Sequence, residues 1–573
     1  MPTFTWACVD AAQTKHAHDK RGTDTRQFDC AGPFHWYNDI MSTTWNQLEE
    51  LAARWPQLTA GEREGALQLA RTLHPEIDEL PRLFELSDAL AAPRADGSEV
   101  SSEPRFDPVE VNLIDALLNS FASTSDRDRM AESRLTTAYV GRAAELYRQL
   151  GSTSRARYVL LQWLAADGRP AALRAFADCM SADPPSEPRQ IGMAFLPLFQ
   201  RTDYAADALF PQLLDSLARP ETATLALEVA NYGVRQHILP AHPAKSRTNE
   251  LAALLGGVAQ RLLQLEENPQ GFSGTPEQAR QAVSDWIALA ITLCQALGLI
   301  KEPSVAGKLE QALGVRHRRL RTEAAAALAQ LGEKRGFETL VEAATEPATR
   351  VRALATLEEL GELQRVAEEH RTPTAKATAE MAEWLARPTQ FGVPPLTVDV
   401  IDQCRQYWPG FNDPVDCYLV SFEYHFPQGE YSNVGIVGPV THAITTDLED
   451  LVPSDIYAVF AGWQAEHEEI QEQDASSLTE SALHAANARL QELAGQDFAQ
   501  IELVKVGTFF GEVLLVATAV RHGVEGTVIV DGAKVEWYPR GSGRRSIGPL
   551  EAYWMHKGRK LLAAFNPTPA PAE

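Results

Sequence analysis

Three histidines in the C-terminal third of the chain have the side chains best suited to acid–base chemistry. They are His425, His442 and His467, and the last lies in the run Glu-His-Glu-Glu at 466–469, the densest cluster of titratable side chains. A half-buried histidine beside carboxylates can act as a general base or as a metal ligand. The helix predicted around residue 467 contains neither HExxH nor ExxH, so the sequence favours a packed histidine and predicts no metal site.

Two further features of this region contain residue types that occur in catalytic or nucleotide-binding sites, but they lack the sequence pattern of such sites. Cys417 lies on a predicted strand near these histidines, yet no neighbouring residue marks its thiolate as stabilised, which favours a small buried side chain. Gly435 and Gly438 are too closely spaced for a nucleotide-binding loop, and no lysine follows them. We expect these glycines to allow a close contact within a sheet. The sequence therefore implies no cofactor.

Acidic and basic side chains are segregated within the C-terminal region. The basic end is the predicted anion-binding site. Residues 399–474 contain 15 acidic side chains and one basic one, whereas residues 521–560 contain eight basic and four acidic ones. Arg540, Arg544 and Arg545 belong to a loop rich in Gly and Ser, whose guanidinium and backbone N–H groups suit an anion. The alternative is that this basic end pairs with the acidic stretch of the same domain or of a second copy.

The composition limits the partners and the compartment. The net charge of −25 and the pI near 5.1 argue against nucleic acid or an anionic membrane surface as a partner, because both require a basic protein surface. No stretch approaches the roughly 18 uninterrupted apolar residues of a membrane span. Six cysteines without a CxxC pair fit free thiols in a reducing compartment, so we expect a cytoplasmic protein.

The elements that position the candidate side chains form a predicted α+β domain at 396–567. Its hydrophobic patterns predict two strands, two helices, four more strands and a closing helix, which together build an antiparallel sheet. Ser454 and Ser477 are the predicted N-caps of the two central helices. The other predicted ranges are Cys417–Phe426, Tyr431–Ala443, Ile501–Thr508, Glu512–Arg521, Thr527–Val530 and Lys534–Tyr538 for strands, and Pro549–Phe565 for the last helix.

A long helical region precedes this domain. Nearly every window of residues 108–387 has helical hydrophobic spacing, and the breaks between windows are short and rich in Gly, Pro, Asp and Ser. Helices joined by such tight turns form antiparallel pairs. We therefore predict an all-α solenoid over this range.

An internal repeat of 29 residues lies at the C-terminal end of the helical region. The copies 320–332 and 349–361 read LRTEAAAALAQLG and TRVRALATLEELG, so that Arg321 matches Arg350. This pattern resembles the first helix of a HEAT-like repeat of the short bacterial type, and the resemblance covers about 280–387. It implies stacked helices in which alanines allow close packing and the final glycine is left-handed. For both arginines we expect a bridging role between repeats.

Polar segments divide the rest of the chain. Residues 1–40 are polar and aperiodic, and we interpret them as a disordered tail or as the result of a start site placed upstream of Met41. Residues 41–91 predict a small helical segment, which the polar linker 92–107 separates from the solenoid. A second linker, 388–395, precedes the α+β domain.

The sequence predicts a non-enzymatic scaffold that binds a protein or peptide through the surface of its helical repeats. The α+β domain would be a second recognition module. The alternative is a hydrolase or transferase for an anionic substrate, in which Arg544 and Arg545 act with His467 or His442. HEAT-like repeats also occur in bilin lyases and in certain DNA glycosylases, but no motif carries over a site from either. The oligomeric state stays open.

Overall fold

The computed structural model describes residues 34–75, 79–91, 106–124, 137–268, 272, 274–495, 497–541 and 547–566. By their internal contacts these residues form two compact units, one extending to Thr339 and one beginning at Leu340. Within the described ranges, helices alone precede the first strand, and antiparallel sheets with helices follow it. The chain is therefore, as predicted, a helical-repeat region followed by an α+β region.

The first unit consists of helices joined by short turns. Proline opens many of them, because its fixed φ suits the first helical turn and its missing N–H has no helical partner there. The helices are α1 (Phe34–Ala53), α2 (Ala60–Thr72), α3 (Leu80–Leu90), α4 (Pro108–Thr124), α5 (Thr137–Leu150), α6 (Tyr158–Asp167), α7 (Pro170–Ala182), α8 (Pro188–Phe199), α9 (Pro220–Arg235), α10 (Thr248–Glu267), α11 (Pro276–Ile300), α12 (Ala306–Leu313), α13 (Arg318–Gln330) and α14 (Lys334–Ala343), within which the division between the units falls.

The N-terminal helices share one core with the helices that follow them. The ring centroid of Trp45 on α1 lies 6.2 Å from that of Phe121 on α4, and Phe121 lies 5.6 Å from Trp163 on α6. All three belong to one continuous cluster of buried residues. The predicted segment at 41–91 is therefore not a separate body, because its apolar face is buried against later helices.

Two predicted segment boundaries also differ from the structure. The helix predicted to begin near residue 41 begins at Phe34, and residues 1–33 lie outside the described residues. Most of the predicted linker 92–107 lies outside them too, but its last residue caps α4. The backbone N–H groups of Val109 and Glu110 donate to Oδ1 of Asp107 at 2.8 and 2.9 Å, which satisfies two N–H groups that a helix start leaves without partners.

The repeat region shows the close packing that its small residues predict. A Cβ added to Gly298 of α11 would lie 3.0 Å from the Cα of Ala327 on α13, so only glycine fits at this approach. Gly332 follows α13 and Gly361 follows α15 (Pro347–Glu359), with φ of +83° and +72°. This left-handed conformation is the predicted helix ending, and it is unstrained for glycine.

Helix α11 is both long and apolar. By length and composition alone it passes the test for a membrane-crossing helix, and 56% of its most apolar window is buried inside the protein. Its C-terminal half, including Leu289, Leu293 and Leu297, is packed in the core. A helix buried on most of its faces is expected to be apolar in this way.

Arg350 fulfils the predicted bridging role. It is buried near the start of α15, and its guanidinium donates to the carbonyls of Ala344 and Thr345, both at 2.8 Å. It also donates to the carbonyl of Ala375, at 2.9 Å, and to the hydroxyl of Thr378, both on α16 (Pro373–Leu385). These bonds join two helices and the turn before them, which leaves little of the guanidinium for a ligand.

The second unit contains α15, α16 and two antiparallel sheets. The first sheet has the order β1-β2-β3-β4 and the second the order β5-β6-β7-β8-β9. The strands are β1 (Thr397–Gln406), β2 (Val415–Phe426), β3 (Gly429–Val437), β4 (His442–Ala443), β5 (Ile470–Asp474), β6 (Ala499–Phe509), β7 (Glu512–Arg521), β8 (Val524–Asp531) and β9 (Lys534–Pro539). The helices between and after them are α17 (Pro453–Gln464), α18 (Glu480–Ala494) and α19 (Pro549–Phe565).

The last repeat helix, α16, packs directly on the first sheet. Met381 of α16 belongs to a buried cluster with Val420 and Phe422 of β2. Gly435 makes this approach possible, because a Cβ there would lie 3.0 Å from Sδ of Met381 and 2.8 Å from a backbone carbonyl. The predicted close sheet contact at this glycine is confirmed. The predicted linker 388–395 consequently separates no domains, and its Phe391 stacks on the sheet.

Several predicted elements of this region are wrong in detail. Strand β1 has no counterpart in the prediction, and β5 replaces the last turn of a predicted helix, so there are two sheets instead of one. The N-caps also differ. Val452 precedes α17 in place of Ser454, and Thr479 caps α18 in place of Ser477. Proline at 453 starts α17 two residues earlier than an N-cap at Ser454 would, because proline favours the first helical position.

Candidate functional site

The structure places the predicted histidines in separate environments. Helix α17 ends before His467, which lies in the following loop, where its Nδ1 accepts a hydrogen bond from the backbone N–H of Glu469 at 3.2 Å. Its ring contacts that of Phe510. His425 lies on β2 with 69% of its side chain exposed, and it pairs with Glu430 at 3.6 Å. The helix predicted around residue 467 is therefore wrong at this residue.

The third histidine, His442 on β4, is packed between aromatic rings. Its ring lies 4.0 Å from that of Trp463, nearly parallel at 9°, and 5.3 Å from that of Trp384. Burial lowers the pKa of His442, because desolvation disfavours the charged imidazolium. Within the described residues none of the three histidines contacts another, and no group of three His, Cys, Asp or Glu side chains has a metal-binding arrangement.

The predicted anion-binding loop is described only at its first residue. Arg540 follows β9, and its guanidinium lies 3.3 Å from the carboxylate of Glu525. Its backbone N–H also donates to the carbonyl of Glu525, at 2.8 Å. Arg544 and Arg545 lie outside the described residues. Glu525 lies outside the acidic stretch 399–474, so both the anion-binding loop and its self-complementary alternative stay predictions.

A buried ionic network, which sequence reasoning missed, lies between α19 and the second sheet. His556 of α19 is only 3% exposed. Its Nε2 lies 3.3 Å from Oδ2 of Asp531, the last residue of β8, and its Nδ1 lies 3.0 Å from Oε2 of Glu536 on β9. A two-residue turn at 532–533, where Gly532 has a φ of +64°, joins the two strands. The turn is one residue shorter than predicted, and it directs both carboxylates towards α19.

Tyr538 extends this network on β9. Its hydroxyl donates to Oε2 of Glu536 at 2.5 Å and lies 3.2 Å from Nδ1 of His556. Burial raises the pKa of Glu536, but the hydrogen bond from Tyr538 and the charge and hydrogen bond of His556 outweigh it, so this pKa lies below its usual value. The pKa of Tyr538 is raised, first by burial and then by its bond to the carboxylate. At neutral pH the carboxylate is ionised and the phenol is protonated.

Two cations complete the network. Lys560 lies one turn after His556 and pairs with the same carboxylate oxygen of Asp531. Its ammonium also lies 4.9 Å from the ring centroid of Phe509. Arg559 pairs with Asp455 of α17 at 2.7 Å. Buried carboxylates are stable only when their charges and lone pairs are compensated. His556 and Lys560 compensate the charge of Asp531 at Oδ2, whereas its buried Oδ1 has no hydrogen-bond partner among the described residues.

The network can bind protons, and it can hold helices and strands together. Both ring nitrogens of His556 are engaged by carboxylates, and the ring and Asp531 are buried, so no ring nitrogen faces solvent or a cleft. The hydrogen bonds join β8, β9 and α19, and the pair of Arg559 and Asp455 adds α17. We interpret this network as an ionic clamp, that is, a set of charged contacts that hold α19 against the second sheet.

The sequence held only weak signals for this network. His556 and Lys560 are four residues apart, which places them on one face of a helix, and Glu536 and Tyr538 are two apart, which places them on one face of a strand. Each pair by itself is common. Asp531 reads as a turn residue before Gly532, and only the fold shows that these pairs converge.

Comparison with known proteins identifies one family in the chain. The family model for HEAT repeats matches residues 278–361, which confirms the predicted HEAT-like repeats in this range. No curated protein and no solved structure matches the chain. The match covers helices α11 to α15, and within it Gly332 and Gly361 follow helices in the left-handed conformation.

Proposed function

We propose that this protein is a non-enzymatic scaffold that binds a protein or peptide partner in a reducing cytoplasm. The observation that carries the proposal is the HEAT-repeat match at 278–361 on a stack of helices. Stacked helical repeats present an extended surface, and HEAT repeats commonly use such a surface to mediate protein–protein interaction. The predicted residues of the hydrolase or transferase alternative are not brought together in the described part of the chain, so no observation favours it.

The exposed faces of the repeat helices supply the first binding surface. On α14, Lys334, Glu338 and Glu342 are exposed while Leu340 is buried. Lys334 and Glu338 form an exposed pair four residues apart, at 3.1 Å. Such pairs stabilise a surface only slightly, so their side chains are free to exchange partners on binding. The rim of a protein interface is typically polar and solvent-accessible, as this helix face is.

The second surface is the edge of the first sheet, which we name the β1 edge patch and define as Leu396, Asp399 and Ile401. Leu396 is 73% exposed and Ile401 49% exposed, an unusual degree for large apolar side chains, and Asp399 lies exposed between them. The acidic side chains of residues 399–474 are mostly exposed as well. Apolar anchors surrounded by acidic groups fit a partner that offers an apolar pocket within a basic surface.

Affinity purification with the full chain tests this proposal. We expect the chain to recover a reproducible partner, and we expect the double variant Glu338→Lys and Glu342→Lys or the variant Ile401→Ser to lose it. Val513→Ser is the matched control, because Val513 is an apolar strand residue of similar exposure, 47%, on the second sheet. Both surfaces are supported if the control retains the partner and both test variants lose it.

Other outcomes refute parts of the proposal. A partner that every variant retains binds elsewhere on the chain. The absence of any reproducible partner contradicts the scaffold itself. Recovery of nucleic acid in place of protein contradicts the expected class of partner.

A further inference from the structure

We propose that Cys404 and Cys417 are a redox pair, in which Cys404 reacts with an oxidant and the two thiols then close a disulfide across β1 and β2. This inference goes beyond the scaffold function and does not depend on it. It stands on the register of the sheet, on the unequal exposure of the two sulfurs and on the groups around them. Nothing in their spacing of 13 residues marks them as a pair.

A β-bulge brings the two cysteines opposite each other. Val400 of β1 pairs with Val420 of β2, but Asp402 pairs with Leu419, so Ile401 is an extra residue in β1. From there the register places Cys404 directly opposite Cys417. Without the extra residue, Cys404 would pair with position 416 and point to the other face, since a slip of one residue reverses a strand's faces.

Opposed positions have the spacing that a disulfide needs. Residues directly opposite in an antiparallel pair have Cα atoms about 4.5–5.5 Å apart. Disulfides join Cα atoms that are about 4.4–6.8 Å apart. Both cysteines also face the same core, in which Cys417 is fully buried and Cys404 only partly so. The bond therefore requires side-chain rotation and no movement of the strands.

The groups around the two sulfurs give the two thiols different pKa values. The Cys417 thiol stabilises the Cys404 thiolate, which lowers the pKa of Cys404 to about 7 against the opposing effect of burial. The pKa of Cys417 is raised, first by its bond to Cys404 and then by burial. The groups that face the pair are Asp402 from β1, Asp416 from β2 and the phenol of Tyr457 from α17, which donates to the carbonyl of Cys417 at 3.4 Å.

Two further groups contact the sulfur of Cys417, the resolving thiol. Its sulfur lies 4.0 Å from Nε2 of Gln406, which supplies a weak donor. The thiol lies 3.7 Å from the carbonyl of Val415. Because Cys417 is buried and protonated, it meets an oxidant only through Cys404. The partly exposed, more acidic thiol is the one that attacks.

The chemistry balances with a peroxide as oxidant. The Cys404 thiolate attacks one peroxide oxygen, the O–O bond breaks, and the leaving hydroxide takes a proton, so Cys404 becomes a sulfenic acid. The Cys417 sulfur then attacks the Cys404 sulfur. The S–O bond breaks, the hydroxyl leaves with the Cys417 proton as water, and the disulfide forms. Two thiols have lost two electrons to one hydrogen peroxide, which yields two waters.

The chain contains its own control thiols. Cys179 and Cys294 are free and buried in the first unit. Burial raises the pKa of Cys179 to about 11 and raises that of Cys294 as well. Neither should react while the protein is folded. Cys8 and Cys30 lie outside the described residues, so a background with Cys8→Ser and Cys30→Ser removes them from the experiment.

The test is thiol mapping of the full chain in this background. The folded protein is treated with hydrogen peroxide, its remaining thiols are blocked with N-ethylmaleimide, and it is digested with trypsin without reduction. Cleavage after Arg405 places the two cysteines on different peptides, so that only a disulfide keeps them together. We expect the linked peptides to form from the monomer and to disappear on reduction. Cys404→Ser should abolish the link, and Cys417→Ser should leave a sulfenic acid on Cys404 that a dimedone probe traps.

A second readout needs no variant at the pair. Alkylation of the folded protein with iodoacetamide is followed at each cysteine between pH 5.5 and 9. We expect Cys404 to react at least tenfold faster at pH 7 than Cys179, with a midpoint near pH 7. Equal rates at Cys404 and Cys179, no linked peptides after peroxide treatment, or links only between two copies of the chain would each overturn the proposal.

Discussion

The substitution of His556 by phenylalanine tests whether the buried network holds α19 on the second sheet. The change removes both ring nitrogens and leaves Asp531 and Glu536 without the imidazole that lies 3.3 and 3.0 Å from them. Removal of one partner from a buried ionic pair destabilises a protein by about 3–5 kcal/mol. Lys560 still contacts Asp531, so we expect a loss at the lower end, about 3 kcal/mol at pH 7.

Urea unfolding followed by tryptophan fluorescence and circular dichroism measures this loss. His425→Phe is the matched control, because His425 is exposed and its pair with Glu430 is on the surface, where such pairs contribute about 0–1 kcal/mol. Equal effects of His556→Phe and His425→Phe would refute the proposed clamp.

The network also predicts a pH dependence with a defined sign. The pKa of Glu536 is lowered in the folded protein. The stability that Glu536 contributes is therefore present above its unfolded pKa of about 4.3 and is lost as the pH falls through the lower folded value. In Glu536→Gln this part of the acid unfolding should be absent, and an unchanged acid limb of the stability curve would contradict the assignment.

The remaining predictions concern packing and one further histidine. Gly558→Ala should destabilise the second unit by about 1–3 kcal/mol in thermal unfolding, because its Cβ would lie 2.9 Å from the Cα of Ala458 on α17. Gly257→Ala, in open space on α10, should be neutral or stabilising by up to about 1 kcal/mol. Arg350→Ala should cost about 2–4 kcal/mol in urea, since it removes the guanidinium donors to three backbone carbonyls, and a loss below 1 kcal/mol would contradict its bridging role. The lowered pKa of His442 predicts that stability falls as the pH drops below about 6.5, and His442→Phe should flatten this slope.

The sequence was most informative where local rules decide the structure. Pro549–Phe565 is the predicted last helix, and Thr59 with Glu62, three residues apart in sequence, forms a capping box at the start of α2. The left-handed conformations of Gly332 and Gly361 also follow from the repeat pattern. In each case neighbours in the chain supply the deciding contact, so pattern and propensity are sufficient.

The prediction failed for elements whose structure depends on contacts between residues that are distant in the sequence. Strand β1 alternates exposed and half-buried residues with charges among them, so its pattern is weak, and its partner β2 defines it. Ile470 continues the helical spacing of Phe460 and Trp463 in sequence, yet residues 470–474 form a strand that pairs with β6. The two clusters of chemical interest, at His556 and at Cys404, each combine residues from elements that only the fold brings together. Their members look ordinary one by one.

The most direct test of the scaffold proposal is hydrogen–deuterium exchange of the full chain alone and with the partner recovered by affinity purification. We predict slower exchange in the complex within residues 278–361, with a second protected segment at the start of β1. The Glu338→Lys and Glu342→Lys variant should lose the first protection and the Val513→Ser control should keep both. Protection confined to other helices, with no change across 278–361, would contradict the account.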